Sequence, residues 1–359
     1  MSPVPSTTRQ WILDHHPQKD EKPSQFFKLV ENPLPGPEEL ADKNAVIIKP
    51  LLLSNDPSQR TWVGAEGSYI TVKLGQVMKS WGVGKVVESY KDGFKNGDLV
   101  WGMMEWNEYM LFEDPETHYP PGLSKLTEEQ ARDPGGFIAL RLTGLTAYYG
   151  LLKCGEATSN DQTIVVSTAA GGTGAMVVQI AKHVLKIPNV IGIAGSEEKM
   201  SLIKSLGCDI ALNYKSPTFE ADLGAATPKG IDLYFDNVGG AMLDMMLRRM
   251  RTRGRIVACG AIGSYDNDNS NASVYVKELR RIIMSGVRIQ GLNVTHHAAD
   301  FPNGLRELEG WLREGKVKTL TTVFETGFEG VPVGMERLLS GRNTGKLLTK
   351  IVTGGRSVL

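Results

Sequence analysis

The stretch that most constrains this chain runs from Thr163 to Ile193. An apolar run, Ile164-Val165-Val166, is followed by the small residues Ala169-Ala170-Gly171-Gly172-Thr173-Gly174. Met176, Val177, Ile180, Ala181 and Val184 then recur at three- and four-residue spacing. That spacing gives a helix with one apolar face, suited to packing on a sheet. A second apolar run, Val190-Ile191-Gly192-Ile193, completes a strand, a tight turn, a helix and a strand. Two strands joined through a helix lie parallel, so the chain must contain a parallel sheet covered by helices.

Further units extend the pattern: a helix at Glu197 to Leu206, a strand near Ile210 to Leu212, a buried-type strand at Ile231 to Phe235, a helix near Met242 to Met250 and a strand at Arg255 to Ala258. Strands alternating with helices predict a doubly wound parallel sheet. Before about residue 140 the texture differs. Short runs such as Ala45 to Ile48 and Gly84 to Val87 are broken by Pro and Gly, which reads as mostly β structure with long loops. After Asn293 the pattern is irregular again, with a helix at Leu305 to Glu314 and a last strand at Lys346 to Val352, both read as a return to the first domain. A length of 359 residues favours two domains.

Ala169 to Gly174 is an A-x-G-x-x-G variant of the dinucleotide fingerprint, and it stands where that fingerprint has meaning, after a strand and opening a helix. Gly171 lets backbone approach a pyrophosphate and Gly174 lets the helix approach the strand, while the first helical N–H groups receive negative charge. The end of the second strand discriminates between cofactors, because an acid there bonds a ribose 2′-OH and repels a 2′-phosphate. Here it reads Ala194-Gly195-Ser196, and Lys199 with Tyr214 and Lys215 can supply cations and a hydroxyl. NADPH is therefore expected rather than NADH. Glu197 and Glu198 read as first-turn acids that suit a helix N-terminus. Asn237, after the fourth strand, admits two readings, a polar contact to the cofactor or a turn former. Cys259, after the fifth, reads as a small residue lining the site and not as a nucleophile.

Forty basic and forty acidic residues cancel, which argues against nucleic acid or an anionic membrane surface as partner. The three cysteines, Cys154, Cys208 and Cys259, are far apart and show no CxxC spacing, which fits a reducing compartment and no disulfide framework. Met1 to Lys19 is polar, no run approaches the roughly 20 apolar residues of a membrane span, and Ser357-Val358-Leu359 lacks the basic residue of a peroxisomal address. A cytoplasmic protein is expected.

Over nearly its full length the chain resembles the zinc-independent medium-chain dehydrogenase/reductases that include prostaglandin and leukotriene reductases and plant alkenal double-bond reductases. The resemblance rests on Thr143-Gly144-Leu145-Thr146-Ala147-Tyr148, the glycine turn with Gln179-Ile180-Ala181-Lys182, Ala194-Gly195-Ser196, Asn213-Tyr214-Lys215, Phe235-Asp236-Asn237-Val238-Gly239-Gly240 and Cys259-Gly260-Ala261-Ile262. It implies an α/β fold: a Rossmann sheet domain at 141–309, and a mostly β GroES-like catalytic domain at 1–140 completed by 310–359. It assigns the cofactor to Thr146, to Ala170, Gly171, Gly172, Thr173 and Gly174, and to Gly195 and Ser196. Lys199 and Tyr214 would grip the 2′-phosphate. Asn237, the loop Cys259, Gly260, Ala261, Ile262 to Tyr265, and Leu292, Asn293 and Val294 would surround ribose and nicotinamide, and Asn343 would close the site. Zinc members of the larger superfamily need an early Cys, a Gly-His-Glu segment and a four-cysteine lobe. This chain has Lys79-Ser80-Trp81-Gly82 near the expected place and three scattered cysteines, so no metal is expected.

The resemblance further implies a homodimer that reduces a carbon–carbon double bond conjugated to a carbonyl in a small hydrophobic substrate. Without metal, hydrogen-bond donors must stabilise the carbonyl oxygen as hydride reaches the β carbon. Tyr265 matches a family tyrosine that orients a ribose hydroxyl toward that oxygen, against the plain reading of an exposed loop aromatic. The family often carries Asp-Pro-Tyr-Met-Arg with its tyrosine facing substrate. Here the segment is Asp56-Pro57-Ser58-Gln59-Arg60, and Ser58 reaches a carbonyl only through water. Tyr69, Trp81, Trp106 and Tyr109 read as pocket lining or, more commonly for such residues, as core. His296 and His297 read as surface loop residues with no evident carboxylate partner. Two alternatives remain open: a quinone or carbonyl reductase on the same scaffold, and an NADPH-binding protein with little catalysis.

Overall fold

The computed structural model describes residues 4–64, 68, 70–113, 122–265 and 276–351. Tyr69 and the C-terminal Ser357 to Leu359 lie outside the described residues. In chain order the strands are β1 (Thr7–Leu13), β2 (Phe27–Pro33), β3 (Val46–Ser54), β4 (Lys79–Ser89), β5 (Leu99–Glu105), β6 (Met110–Phe112), β7 (Ser124–Lys125), β8 (Thr163–Val166), β9 (Asn189–Ala194), β10 (Ile210–Asn213), β11 (Ile231–Asp236), β12 (Met250–Ala258), β13 (Arg288–Gly291), β14 (Thr321–Thr326) and β15 (Lys346–Ile351). The chain forms two compact units, one of residues 1–138, 322–343 and 347–359, the other of 139–321 and 344–346.

The first unit is built on antiparallel pairing. β1 pairs with β2, and a seven-stranded sheet runs β14-β15-β3-β4-β5-β7 with β6 added on β3. β3, Val-Ile-Ile-Lys-Pro-Leu-Leu-Leu-Ser, is buried along almost its whole length, as its nearly continuous apolar run demands. Pro50 cannot donate to the ladder, and the register with β4 shifts between Pro50 and Leu52. The core gathers Leu13, Phe26, Ile48, Leu53, Trp62, Met104, Trp106 and Phe112.

The second unit is a six-stranded parallel sheet in the order β10-β9-β8-β11-β12-β13. Counted from its first strand this is 3-2-1-4-5-6, the doubly wound dinucleotide-binding order, and the direction of winding reverses between β8 and β11. Ile164 and Val166 belong to one buried layer and Val165 to the opposite one, so both faces of β8 are covered. Helices Gly172–Gln179, Glu197–Ser205, Phe219–Ala226, Gly240–Leu247, Leu279–Ser285 and Phe301–Arg313 cover the faces.

Several boundaries differ from the sequence expectation. Helix Phe301–Arg313 belongs to the second unit, and the chain returns to the first at residue 322 and not at 310. The cause is packing: Leu308 is fully buried with Leu140, Leu145 and Tyr149, and Val317 joins the same core. The expected helix at Met242 to Met250 ends at Leu247, and Met250 already starts β12. The helical run from Leu140 to Cys154 contains two π turns, and the cofactor-side helix passes into a third at Ile180–Val184. Simple 3.6-residue periodicity carries no signal for such turns.

Candidate active site

The glycine turn is shaped by two constraints. Thr168 adopts φ +51°, unusual for a β-branched residue, and its carbonyl accepts the Gly171 N–H at 2.9 Å. A Cβ on Gly174 would stand 2.3 Å from that same Thr168 oxygen and 2.9 Å from the Ala169 Cα. Only glycine lets the helix start so close to β8. Ala170 is buried, whereas Gly171, Gly172 and Thr173 keep partial exposure in the opening turn. Gly171 has extended backbone and caps helix Gly172–Gln179, so the first helical N–H groups face out from the end of β8. Thr146, half-buried, donates its hydroxyl to the Leu142 carbonyl at 2.7 Å, so it can only accept from a ligand.

The next corner lies at the ends of β9 and β10. A Cβ on Gly195 would stand 2.7 Å from the Tyr214 ring, so the tyrosine lies directly on the Gly195 backbone while remaining 49% exposed. Ser196 caps helix Glu197–Ser205 by accepting the Lys199 N–H at 3.3 Å. The Lys199 ammonium is held below its ordinary pKa, first by burial and then by repulsion from Lys215. Lys215 in turn sits 5.7 Å from the centre of the Tyr214 ring. Two mutually repelling cations beside an aromatic hydroxyl are stabilised by an anion, which would relieve both penalties on Lys199. Glycine cradle and cationic corner fit the two ends of an adenosine phosphate carrying a 2′-phosphate.

At the ends of β11 and β12 two loops are zipped together. Cys259 and Gly260 N–H groups donate to the Asp236 carbonyl at 2.9 and 3.1 Å, Ile262 N–H to Asn237 at 3.5 Å, and Gly263 N–H to Val238 at 3.1 Å. The Asp236 carboxylate, 1% exposed, accepts from the Tyr234 hydroxyl and from the Val238 and Gly239 N–H groups. Burial pushes its pKa up and those bonds oppose the shift. Asn237 donates an amide hydrogen to the Ser167 carbonyl at 2.7 Å and its N–H to the Ser167 hydroxyl at 2.9 Å. Its brace role is thus real, and its Oδ1 is what it can turn to a ligand. The Ala261 N–H donates to the Tyr265 hydroxyl at 3.3 Å, drawing that ring into the loop. Burial raises the Tyr265 pKa. It also pushes the Cys259 thiol up to about 12, which disfavours a thiolate there.

Leu292 N–H pairs with Ala258, and the Leu292 side chain packs inward beside Gly150 and Phe235. Val294 also packs on the core, and Asn293 spends its Oδ1 on Thr295. His297 corrects the surface reading: its ring stacks on Tyr149 at 4.7 Å and 9°, and its Nε2 lies 3.9 Å from the Cys154 Sγ. The Tyr149 hydroxyl donates to Asp300 at 3.1 Å. No spacing in the sequence signalled this cluster. His296 is exposed, as expected.

Ser58 and Asn343 belong to the first unit and are half-buried. Around Ser58, Ser54 donates to Asp56, the Asp56 N–H donates to Gln59, and Gln59 donates to Lys79 and Ser80, so Asp56 braces its loop. Trp106 is 1% exposed and donates to Ser80 at 2.7 Å. It is core, not pocket lining. Trp81 stacks on Trp101 at 5.3 Å, and Tyr109 packs beside Leu40, Ala45 and Ile47.

Among the described residues no group of three or more His, Cys, Asp or Glu could hold a metal ion, and no helix is long and apolar enough to cross a membrane. Residues 9–119 match the family model described as "N-terminal domain of oxidoreductase", and residues 172–310 match "Zinc-binding dehydrogenase". The chain is 37% identical to prostaglandin reductase 1 of Mus musculus, covering 95% of this chain and 98% of that one. It is 36% identical to the NADP(+)-dependent 2-alkenal reductase of Nicotiana tabacum, covering 96% and 98%. The chain belongs to the zinc-independent medium-chain reductases of the alkenal and prostaglandin reductase type. It is an oxidoreductase. Among solved structures, CurA from Vibrio vulnificus in complex with NADPH superposes with a TM-score of 0.85 at 27% identity, covering 96% of this chain and 99% of that one.

Proposed function

We propose that this reductase transfers hydride to the β carbon of α,β-unsaturated ketones and aldehydes, with no metal. Its cofactor is NADPH, supported by the NADP-dependent relatives and by the fit of the Gly195, Lys199, Tyr214 and Lys215 corner to a 2′-phosphate. When bound, NADPH supplies the hydride. The chain supplies position and polarity around it. Gly171 and Gly174 leave room for the pyrophosphate and the helix start, and Asn237 turns its Oδ1 toward ribose or carboxamide.

The observation that carries the reading is the Tyr265 hydroxyl, which accepts from the Ala261 N–H and so keeps its own proton for an outward bond. Burial raises its pKa, so at neutral pH it is a phenol and a donor. Through a ribose hydroxyl it steadies the charge that develops on the substrate carbonyl oxygen, and the α carbon takes its proton from this relay or from water. In the first unit, Ser58 stands where the family carries a tyrosine, and its shorter side chain would reach a carbonyl only through water.

That shorter residue also favours a second reading, a quinone or carbonyl reductase. A panel of enones, enals and quinones, followed by NADPH and NADH oxidation and product mass, separates them. Saturated ketones or aldehydes are expected. Allylic alcohols or hydroquinones alone would overturn double-bond reduction, and no cofactor oxidation with any substrate would overturn the enzymatic role.

We also propose a cytoplasmic homodimer. Free cysteines suit a reducing compartment. Leu279, Ile283 and Met284 of helix Leu279–Ser285 are 59%, 70% and 73% exposed, and β13 is the last strand of its sheet among the described residues. Light scattering of Ile283→Asp tests this: a dimeric wild type and a monomeric variant are expected, and a monomeric wild type would refute it.

A further inference from the structure

One set of contacts in the second unit serves neither the sheet nor the expected ligand contacts. Gln179, in the last turn of the cofactor helix, is 3% exposed. Its Nε2 donates to the Lys318 carbonyl at 3.1 Å and its Oε1 accepts the Lys318 N–H at 2.9 Å. The side chain thus imitates a strand partner for residue 318. Two residues on, the Leu320 carbonyl accepts the Lys346 N–H at 2.8 Å, and the adjoining Gly345 N–H donates to the Ala170 carbonyl at 2.8 Å. A parallel bridge pairs Gly345 with Gly171. Gly345 has φ +64°, and a Cβ there would stand 2.2 Å from the Leu320 oxygen. Side chains rarely adopt that backbone and none has the space.

The contacts close a ring from the last turn of the helix, through 318–320 and 345–346, back to its first turn. We infer that Gln179 and Gly345 are positioning residues that strap the Ala170–Gly171 turn and thereby set its affinity for the dinucleotide pyrophosphate. This rests on the cofactor reading above. The backbone N–H groups of the turn bind an anion only if they converge, and a backbone free to shift by a fraction of an ångström loses that convergence. Ala170 is held on one side through Ala169, whose N–H donates to Ile193 at 2.9 Å, and on the other by Gly345. Removing the second restraint leaves the sheet intact and the turn loose. Neither residue touches the reacting atoms.

The test titrates NADPH into wild type, Gln179→Leu, Gly345→Ala and Gly304→Ala, following nucleotide fluorescence, with the melting temperature of each apoprotein measured alongside. Gly304 is another crowded glycine of the same unit, where a Cβ would stand 2.8 Å from the Tyr149 hydroxyl, a side-chain clash milder than the backbone one at Gly345. It therefore reports simple destabilisation. The strap variants should raise the Kd for NADPH about tenfold, as the loss of one or two buried hydrogen bonds allows, while Gly304→Ala lowers the melting temperature and leaves Kd within about twofold. Gln179→Glu sets a carboxylate oxygen where the amide donates to the Lys318 and Ala175 carbonyls, and should weaken NADPH binding at least as much as Gln179→Leu. Strap variants that melt early but bind like wild type would overturn the strap alone. A wild type that does not bind NADPH would overturn the cofactor reading and the strap together. If Gly345→Ala does not fold, Gln179→Leu decides.

Discussion

Each unit has buried central strands, β3 in one and β8 in the other, yet the two distribute chemistry differently. In the parallel sheet of the second unit every strand ends on the same side. The residues after β8, β9, β10, β11 and β12 are therefore gathered by topology alone, and Gly171, Gly195, Tyr214, Asn237 and Tyr265 fall there. The antiparallel sheet of the first unit has no such polarity. Its loops alternate ends, and its polar and aromatic residues are spent on bracing: Asp56 on Ser54 and Gln59, Trp106 on Ser80. A parallel sheet locates its site; an antiparallel sheet leaves that to loop detail.

The comparison can be broken first at the core of each unit. Trp106→Ala removes a fully buried ring from the first unit and should cost about 3–5 kcal/mol in chemical denaturation, with little change in NADPH affinity. A large loss of affinity would show that Trp106 belongs to the site. Gly174→Ala drives a Cβ into the Thr168 carbonyl and should cost about 1–3 kcal/mol, as overpacking does. Unlike Trp106→Ala, it should also abolish measurable NADPH binding by displacing the helix start. Lys199→Ala sharpens the picture within one corner: NADPH should bind about tenfold more weakly, the scale of one charge-assisted hydrogen bond, while NADH is little changed. Equal effects on both nucleotides would remove Lys199 from the phosphate site.

The smallest effect lies on the surface of the first unit, where His15 contacts Glu21 at 2.8 Å and Asp14 at 3.3 Å. Glu21 and then Asp14 raise the His15 pKa above 6.5. Its stabilisation is complete below that unfolded value and disappears as pH rises through the higher folded one. Glu21 is shifted the other way, first by the Gln18 N–H and then by His15, so its share is present above 4.5 and lost as pH falls through the depressed folded value. Melting temperatures of wild type and His15→Ala across pH 5 to 8 should converge at the alkaline end. Solvent screening keeps the difference small.

How much of this was legible follows the same division. The strands from Ile164 to Ala258 and the glycine turn were readable because buried parallel strands are short apolar runs and the turn admits only small residues. The absence of an acid after β9 was readable because one position carries that choice. The membership of helix Phe301–Arg313 was not, because an amphipathic helix shows that it packs without showing on what, and Leu308 settles that in three dimensions. The same holds for His297 on Tyr149, and for Gln179, whose partner lies 139 residues away. Trp106 shows the converse limit, since an aromatic near a candidate site reads alike whether it meets substrate or core.

Tyr214 resting on the bare backbone of Gly195 bears on any attempt to exchange the cofactor. Converting such an enzyme to NADH ordinarily means installing an acid at the end of the second strand to hold the ribose hydroxyls. At position 195 the new side chain would have to occupy the volume of the Tyr214 ring, 2.7 Å away, before it could reach a sugar. Gly195→Asp would therefore act as an eviction, stripping the phosphate corner of its aromatic wall together with its charge preference. Cofactor choice in this protein is written in shape as well as in sign, and a single acidic substitution cannot rewrite one without dismantling the other.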